Sequence, residues 1–263
     1  MSVPYRLLSL SCACLLLGAN DLRAEDWQYR LSAGVANAPR YSGASERTSA
    51  PLLAGSITSP AGFFLDSQKG LGWAHDGEAF AFGVYLGASA TRKDHRAGFE
   101  GSDKLDGMGS IKSRPLLGLD AAYHFGPLTL AANFEHALEE DKDEPDTGSA
   151  YNHLKLSLAM QLYKGRFGEV TGGVNSQFGD GDYMRTWYGV SQAQASRSQF
   201  RAHEARGGLV SRGAELAWNL PFDQHWSLTT VLAADYLSND AGDSPLVEKR
   251  LQTSVLSQMT YTF

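Results

Sequence analysis

Apolar and polar residues alternate one by one along most of this chain. Leu154, Leu156, Leu158, Met160 and Leu162 share one parity, while His153, Lys155, Ser157, Ala159 and Gln161 share the other. Leu128, Leu130, Ala132 and Phe134 alternate with Thr129, Ala131, Asn133 and Glu135. Trp226, Leu228, Thr230, Leu232, Ala234 and Tyr236 alternate with Ser227, Thr229, Val231, Ala233 and Asp235. Phe80, Phe82, Val84 and Leu86 do the same against Ala81, Gly83, Tyr85 and Gly87. A period of two puts successive side chains on opposite faces of a strand, and none of these segments follows the 3.6-residue helical period. The pattern predicts an all-β protein.

The spacing of turn signals extends the picture. Strands are expected near 27–36, 48–57, 62–66, 70–75, 78–91, 111–125, 127–138, 151–163, 166–178, 200–220, 225–238 and 249–263. Short connections such as Asp76-Gly77, Gly126-Pro127 and Lys164-Gly165 alternate with longer polar ones at 37–47, 92–110, 139–150, 179–199 and 239–248. Short turns at one end and long loops at the other are the habit of a transmembrane antiparallel up-and-down β-barrel. Twelve strands return both chain ends to the same side; ten is the alternative, because the third and fourth are short. The last strand ends on an aromatic, with Val255, Met259, Tyr261 and Phe263 on one face. An apolar strand at a chain end suits a ring that must close and leave no sheet edge. Aromatics at strand ends (Trp27, Tyr123, Phe125, Trp218, Trp226, Tyr261) match the girdles of membrane interfaces. A soluble β-sandwich or a lipocalin-like barrel is the rival, since half-buried soluble strands alternate too.

One segment fits badly. The outward parity of 200–220 runs from Leu220, Trp218, Leu216 and Ala214 into Arg212, Arg206 and Glu204. An Arg facing lipid at the midplane costs roughly 2–4 kcal/mol. The strand must rise out of the bilayer beyond Gly213, or a bulge near Gly207-Gly208 or Gly213 must reset its register.

The ends and the composition narrow the compartment. Arg6, the apolar run Leu7–Ala19 and the small Ala24 before Glu25-Asp26 predict a signal peptide over 1–24, leaving a barrel over 25–263. Both cysteines, Cys12 and Cys14, fall in that leader, so thiolate metal sites are excluded from the rest. The whole chain carries 23 basic and 29 acidic side chains; losing Arg6, Arg23 and Asp21 leaves 21 and 28, a net charge of −7. That balance argues against nucleic acid as a partner. No run of 18 or more apolar residues follows the leader, so no transmembrane helix is expected.

Chemistry is sparse. The seven histidines (75, 95, 124, 136, 153, 203, 225) sit in no hydrolase or zinc-helix spacing, and Ser191 lacks a Gly-x-Ser-x-Gly setting. The acidic run 139–146 reads as a solvated loop, with divalent ions or lipopolysaccharide phosphates as the sharper alternative. No catalytic residue, cofactor or metal site is expected. Lys112, Arg114, Asp120, Glu135, Lys155, Glu169, Glu215 and Asp235 are the expected lumen-lining charges. Their mixed signs would either pair across a narrow barrel or line a small aqueous path.

Four loop motifs add a resemblance. They are Ala38-Pro39-Arg40-Tyr41-Ser42-Gly43-Ala44, Leu105-Asp106-Gly107-Met108-Gly109-Ser110-Ile111, Trp187-Tyr188-Gly189-Val190-Ser191 with Gln192–Ser196 after it, and Leu237–Val247. In this order, and with the terminal Tyr-x-Phe, they resemble the MipA/OmpV family of outer-membrane proteins over essentially the whole mature chain. The resemblance implies a bacterial outer-membrane barrel without enzymatic activity, inserted by the barrel-assembly machinery and surrounded by lipid and lipopolysaccharide. One member of that family resembles a scaffold that holds a lytic transglycosylase near a penicillin-binding protein, while other members are described as antigens, adhesins or envelope-stress proteins, so the resemblance implies an interaction role in the envelope. A small-solute channel or ligand-binding porin-like barrel remains the alternative. No residue-level binding site transfers from the family.

Overall fold

The computed structural model describes residues 26–140 and 146–263. The expected leader 1–24 and residues 141–145 of the acidic run lie outside the described residues. Twelve strands are present: β1 (Gln28–Pro39), β2 (Arg47–Thr58), β3 (Phe63–Asp66), β4 (Gly70–Asp76), β5 (Phe80–Ala88), β6 (Pro115–Phe125), β7 (Leu128–Ala137), β8 (Tyr151–Gly165), β9 (Gly168–Gly179), β10 (Gly208–Pro221), β11 (Trp226–Leu237) and β12 (Leu251–Thr262). Each pairs antiparallel with its chain neighbours, and β12 returns to β1, so the sheet is a closed barrel.

The closing seam runs from Arg30 opposite Thr262 to Asn37 opposite Val255. Beyond the ladder, the Phe263 N–H donates to the Tyr29 carbonyl at 3.0 Å. The Phe263 ring meets Tyr261 edge-on at 4.8 Å and Tyr29 at 6.5 Å. Tyr261 and Met259 lie opposite Leu31 and Ala33, so the outward parity of the last strand continues that of the first.

The outward face decides the environment. Leu31, Val35, Leu53, Leu65, Leu86, Leu119, Leu130, Leu158, Leu216 and Leu232 are all exposed, on strands around the whole circumference. A soluble sandwich or lipocalin would bury its large apolar residues or scatter a few. A continuous apolar belt on a closed sheet belongs in hydrocarbon, where only closed barrels and helices satisfy every backbone group. No described helix is long and apolar enough to cross a membrane, so the strands do the crossing.

Two strand starts differ most from the sequence pattern. β6 starts at Pro115 rather than at 111, because residues 111–114 belong to the outer loop, tied to the end of β5 and beyond by the Arg92–Ile111 bridge and by hydrogen bonds of Ser113 and Arg114 with Ser89. The difficult segment 200–220 becomes a strand only from Gly208, with a register shift between Leu209 and Ser211. Arg206 therefore lies above the wall and pairs with Asp240 at 3.0 Å. Arg212 still faces outward, but opposite Tyr236, at the aromatic rim where a long side chain reaches polar headgroups.

The β3–β4 hairpin is short, and its tip stops beside Gly55 of β2. Above it, Arg47–Ala54 has a ladder neighbour only in β1. Gly55 turns its N–H and carbonyl toward the hairpin, and strand parity gives Pro51 the same direction. The missing N–H of Pro51 thus falls on the open edge, where it removes one unpaired donor and discourages a stray strand from adding there.

Inside, large and small residues interlock. Tyr85 is buried and its ring lies flat over Gly118 of the next strand; a Cβ on Gly118 would sit 1.9 Å from the ring. Gly118→Val is expected to force Tyr85 out of its place and to destabilise the barrel by about 1–3 kcal/mol, the usual range for overpacking. Urea unfolding of the barrel in lipid vesicles measures this, and an unchanged midpoint would show that Tyr85 has room to move.

Candidate functional site in the capped outer lumen

The long loops build an ordered cap. After β9, the Asp180 carboxylate accepts from the Tyr183 N–H at 2.8 Å and starts helix α1 (Gly181–Tyr188). Ser191 and Gln194 then form a reciprocal capping box that opens α2 (Gln192–Arg197). A third short helix, α3 (Asn239–Asp243), follows β11. Two apolar clusters hold these pieces. One gathers Tyr41, Ala44, Leu105, Met108, Val190 and Leu246; the other gathers Met184, Tyr188, Ala205, Val210, Leu237 and Ala241. Polar ties stitch them together: Gln194 donates to the Met108 carbonyl at 2.7 Å, Ser244 to the Tyr188 carbonyl at 2.6 Å, and Ser42 shares a 2.8 Å bond with the Tyr188 hydroxyl. Gly107 has φ +81 and lies against the Arg197 carbonyl, a position only glycine fills without strain. All four motifs that carry the family resemblance are cap segments.

Glu248 is a hub of this cap. Its carboxylate receives Lys104 at 2.7 and 2.8 Å, the Tyr41 hydroxyl at 3.2 Å, and Ser45. Partial burial alone would raise its pKa, yet the hydrogen bonds from Lys104 and Ser45 and the Lys104 charge hold it below the ordinary carboxylate value. Burial lifts the Tyr188 hydroxyl to about 12 and, with Glu248 adding to it, lifts Tyr41 further.

Beneath the cap lies a cavity of about 200 Å³. Its roof includes Arg92, Trp187 and Tyr188; its floor is a set of inward side chains on β7 to β11. Four of the expected lumen charges meet here: Glu135, Lys155, Glu215 and Asp235. Asp235 lies over Gly213, where a Cβ would be 2.2 Å from its Oδ1 and 2.8 Å from the Asn175 amide nitrogen. His153 stacks on Tyr183 with ring centres 4.8 Å apart, and its Nδ1 is 4.0 Å from Glu135.

The other four lie elsewhere. Asp120 pairs with Lys69 of the β3–β4 tip at 2.5 Å and accepts from Asn133 at 2.8 Å. Asn133 also donates to the Tyr85 hydroxyl, which donates to Glu135 at 3.0 Å, so a polar chain crosses this side of the lumen. Arg114 is fully buried just above β6, donating to the carbonyls of Ser149 and Thr147 and stacking on Tyr151. It secures a loop. Lys112 is exposed in that outer loop, 3.4 Å from Glu140, and so does not line the lumen. Glu169 sits at the short-turn end, accepting from Gln161. Sequence reasoning missed Arg92, whose only local signal is a basic residue between two loop stretches. No group of three or more His, Cys, Asp or Glu among the described residues is arranged to hold a metal ion.

A family model described as "MltA-interacting protein MipA" matches residues 31–263. No curated protein matches the chain. Among solved structures, the translocator domain of the autotransporter NalP from Neisseria meningitidis is 10% identical, with 97% of this chain and 93% of that one covered and a TM-score of 0.45. Pseudomonas putida OprB is 10% identical over 90% of this chain and 94% of its own, with a TM-score of 0.45. A Pseudomonas aeruginosa FadL homologue is 9% identical over 91% and 90%, with a TM-score of 0.41.

Acid is expected to loosen the cap. A carboxylate with a lowered folded pKa stabilises the folded form above its unfolded pKa, and that contribution is lost as pH falls through the folded value. For Glu248 the window therefore lies below the ordinary carboxylate value of 4.5. Limited proteolysis with an acid-active protease should cut the outer loops more readily at pH 3 than at pH 6, and Glu248→Gln should raise cutting at pH 6. Equal cutting at both pH values would remove Glu248 from this role.

Proposed function

The chain belongs to the MltA-interacting protein MipA family, and from that membership we propose that it is a non-enzymatic outer-membrane barrel that works as an interaction protein of the cell envelope. Its partner on this reading is a lytic transglycosylase, and through it a penicillin-binding protein. The single supporting observation is the extent of the family match, which runs from β1 to Phe263 and so takes in the whole barrel and its cap. The reading as non-enzymatic is supported by what several histidines do. His153 stacks on Tyr183, His203 donates to the Asp240 carbonyl and His225 to the Thr262 carbonyl, each a structural task. The expected leader 1–24 would deliver the chain to the outer membrane with both ends in the periplasm.

A periplasmic partner would meet the short-turn rim. Phe167, Phe222 and Phe263 are exposed there, and the Arg166 guanidinium lies 4.5 Å over the Phe167 ring. A standard stable interface covers about 800 Å² per partner, so the turns alone are small and the strand rims must contribute. Purified barrel on beads should retain a lytic transglycosylase at micromolar concentration, and replacing Phe167 and Phe222 by Ser should reduce retention about tenfold. Absence of retention by the unaltered protein would end this reading.

A second reading, a small-solute channel, has the mixed-charge lumen in its favour. The cap and the polar chain through Asp120, Asn133, Tyr85 and Glu135 weigh against conduction. Planar-bilayer recordings are expected to be silent. Stepwise currents that change in Lys155→Ala or Glu135→Ala would establish a pore instead.

A further inference from the structure

The roof of the outer cavity contains a cation with no ion pair among the described residues. Arg92 is 5% exposed. Its Nη1 donates to the Trp187 carbonyl at 2.7 Å, while Nε and Nη2 are buried and have no hydrogen-bond partner among the described residues. No carboxylate of the described residues lies within 4.0 Å of it; its neighbour Lys93 takes Glu100, at 3.2 Å. Arg114, the comparable buried arginine, has two carbonyls and an aromatic face and leaves only Nε without a partner among the described residues. Leaving a buried donor unmade costs about 1–3 kcal/mol, and more when the group is charged. A guanidinium with two free donors in one plane is the shape that receives an oxyanion at two points.

The surroundings of Arg92 restrict what that anion is attached to. Tyr41, Tyr151, Tyr183, Trp187 and Tyr188 line the same cavity. Aromatic walls favour a flat apolar body. An apolar cavity of about 150 Å³ takes benzene, and this one is about 200 Å³, enough for a ring and a carboxylate but small beside a drug-sized site. Of the other charges that line it, Arg40 pairs with Glu46 and Lys93 with Glu100, while Glu135, Glu215 and Asp235 outnumber Lys155, so a second negative group on the ligand would be repelled. We propose that this cavity is a binding site for a small aromatic monocarboxylate, with the carboxylate paired to the Arg92 guanidinium once that side chain turns its unpartnered Nε and Nη2 toward the cavity, and the ring between the tyrosines and Trp187. Burial lowers the Arg92 pKa to about 10, which leaves it charged at neutral pH and able to serve. The site is independent of any periplasmic partner, since it opens under the outer cap.

Titration calorimetry of the full chain, folded in detergent micelles, with sodium benzoate at constant ionic strength tests the proposal. Saturable binding is expected, weakened at least about tenfold in Arg92→Gln by loss of the charge-assisted pair, and partly retained in Arg92→Lys. Ala233 also lines the cavity, so Ala233→Phe should abolish binding with Arg92 untouched. That variant keeps the test decisive where Arg92 variants fail to fold, and the heat-dependent gel shift of the barrel reports folding in each. No saturable heat with benzoate, undiminished binding in folded Arg92→Gln, or inorganic phosphate binding as tightly as benzoate would each overturn the assignment.

Discussion

Everything in this molecule follows from the cost of an unpaired peptide group in hydrocarbon. Each such group costs several kcal/mol, so a membrane-spanning sheet must close. Here closure is made by β12 against β1, extended one residue further by the Phe263 N–H on the Tyr29 carbonyl. Closure then dictates the side chains. One parity must be apolar to face lipid, and the other must fill a narrow interior. The same constraint explains Pro51, which faces the one stretch where β2 lacks an outer neighbour.

A twelve-stranded ring is wider than side chains can fill alone and narrower than an open porin. This chain resolves that in two ways. At mid-height it lays Tyr85 over Gly118 and links it to Asn133, Asp120, Lys69 and Glu135. At the outer end it folds the loops into a cap with two small apolar clusters of its own. The cavity is what remains between these two fillings. Its charges sit at inward positions of β7, β8, β10 and β11, and four of them line this one space.

The barrel was legible in the sequence because period-two alternation is local. β7, β8 and β11 read directly from it, as did the closing strand through Phe263. What stayed hidden depends on contacts between distant segments. The start of β10 at Gly208 is set by a register shift against β9, which no window of the sequence contains. Arg114 and Lys112 share a parity with Asp120, yet one secures a loop and the other is solvent-exposed, because the strand begins only at Pro115. The loop helices had a readable signal in Asp180 and in Ser191 with Gln194, a capping pattern that the strong β alternation around it obscured. The four loop motifs were visible as family marks, but their physical meaning, that they are the cap, required seeing Tyr41, Met108, Val190 and Leu246 in one cluster.

Arg92 is where the two fillings meet, and it is the residue least explained by folding. The cap could have been closed at that position with an apolar side chain: Tyr41 and Tyr188 are already there, and replacing a buried charge by a packed hydrophobe is often neutral or stabilising. Instead the chain buries a guanidinium beside an aromatic-lined space, ties one nitrogen to the Trp187 carbonyl and leaves the other two without a partner among the described residues. The cap's apolar clusters and the Glu248 hub already tie the loops together, and Arg92 adds a single bond to the Trp187 carbonyl. A cation that adds cost to the fold and shape to a cavity is best understood through what enters the cavity, which is the argument for placing the proposed ligand in the outer lumen rather than on the wall.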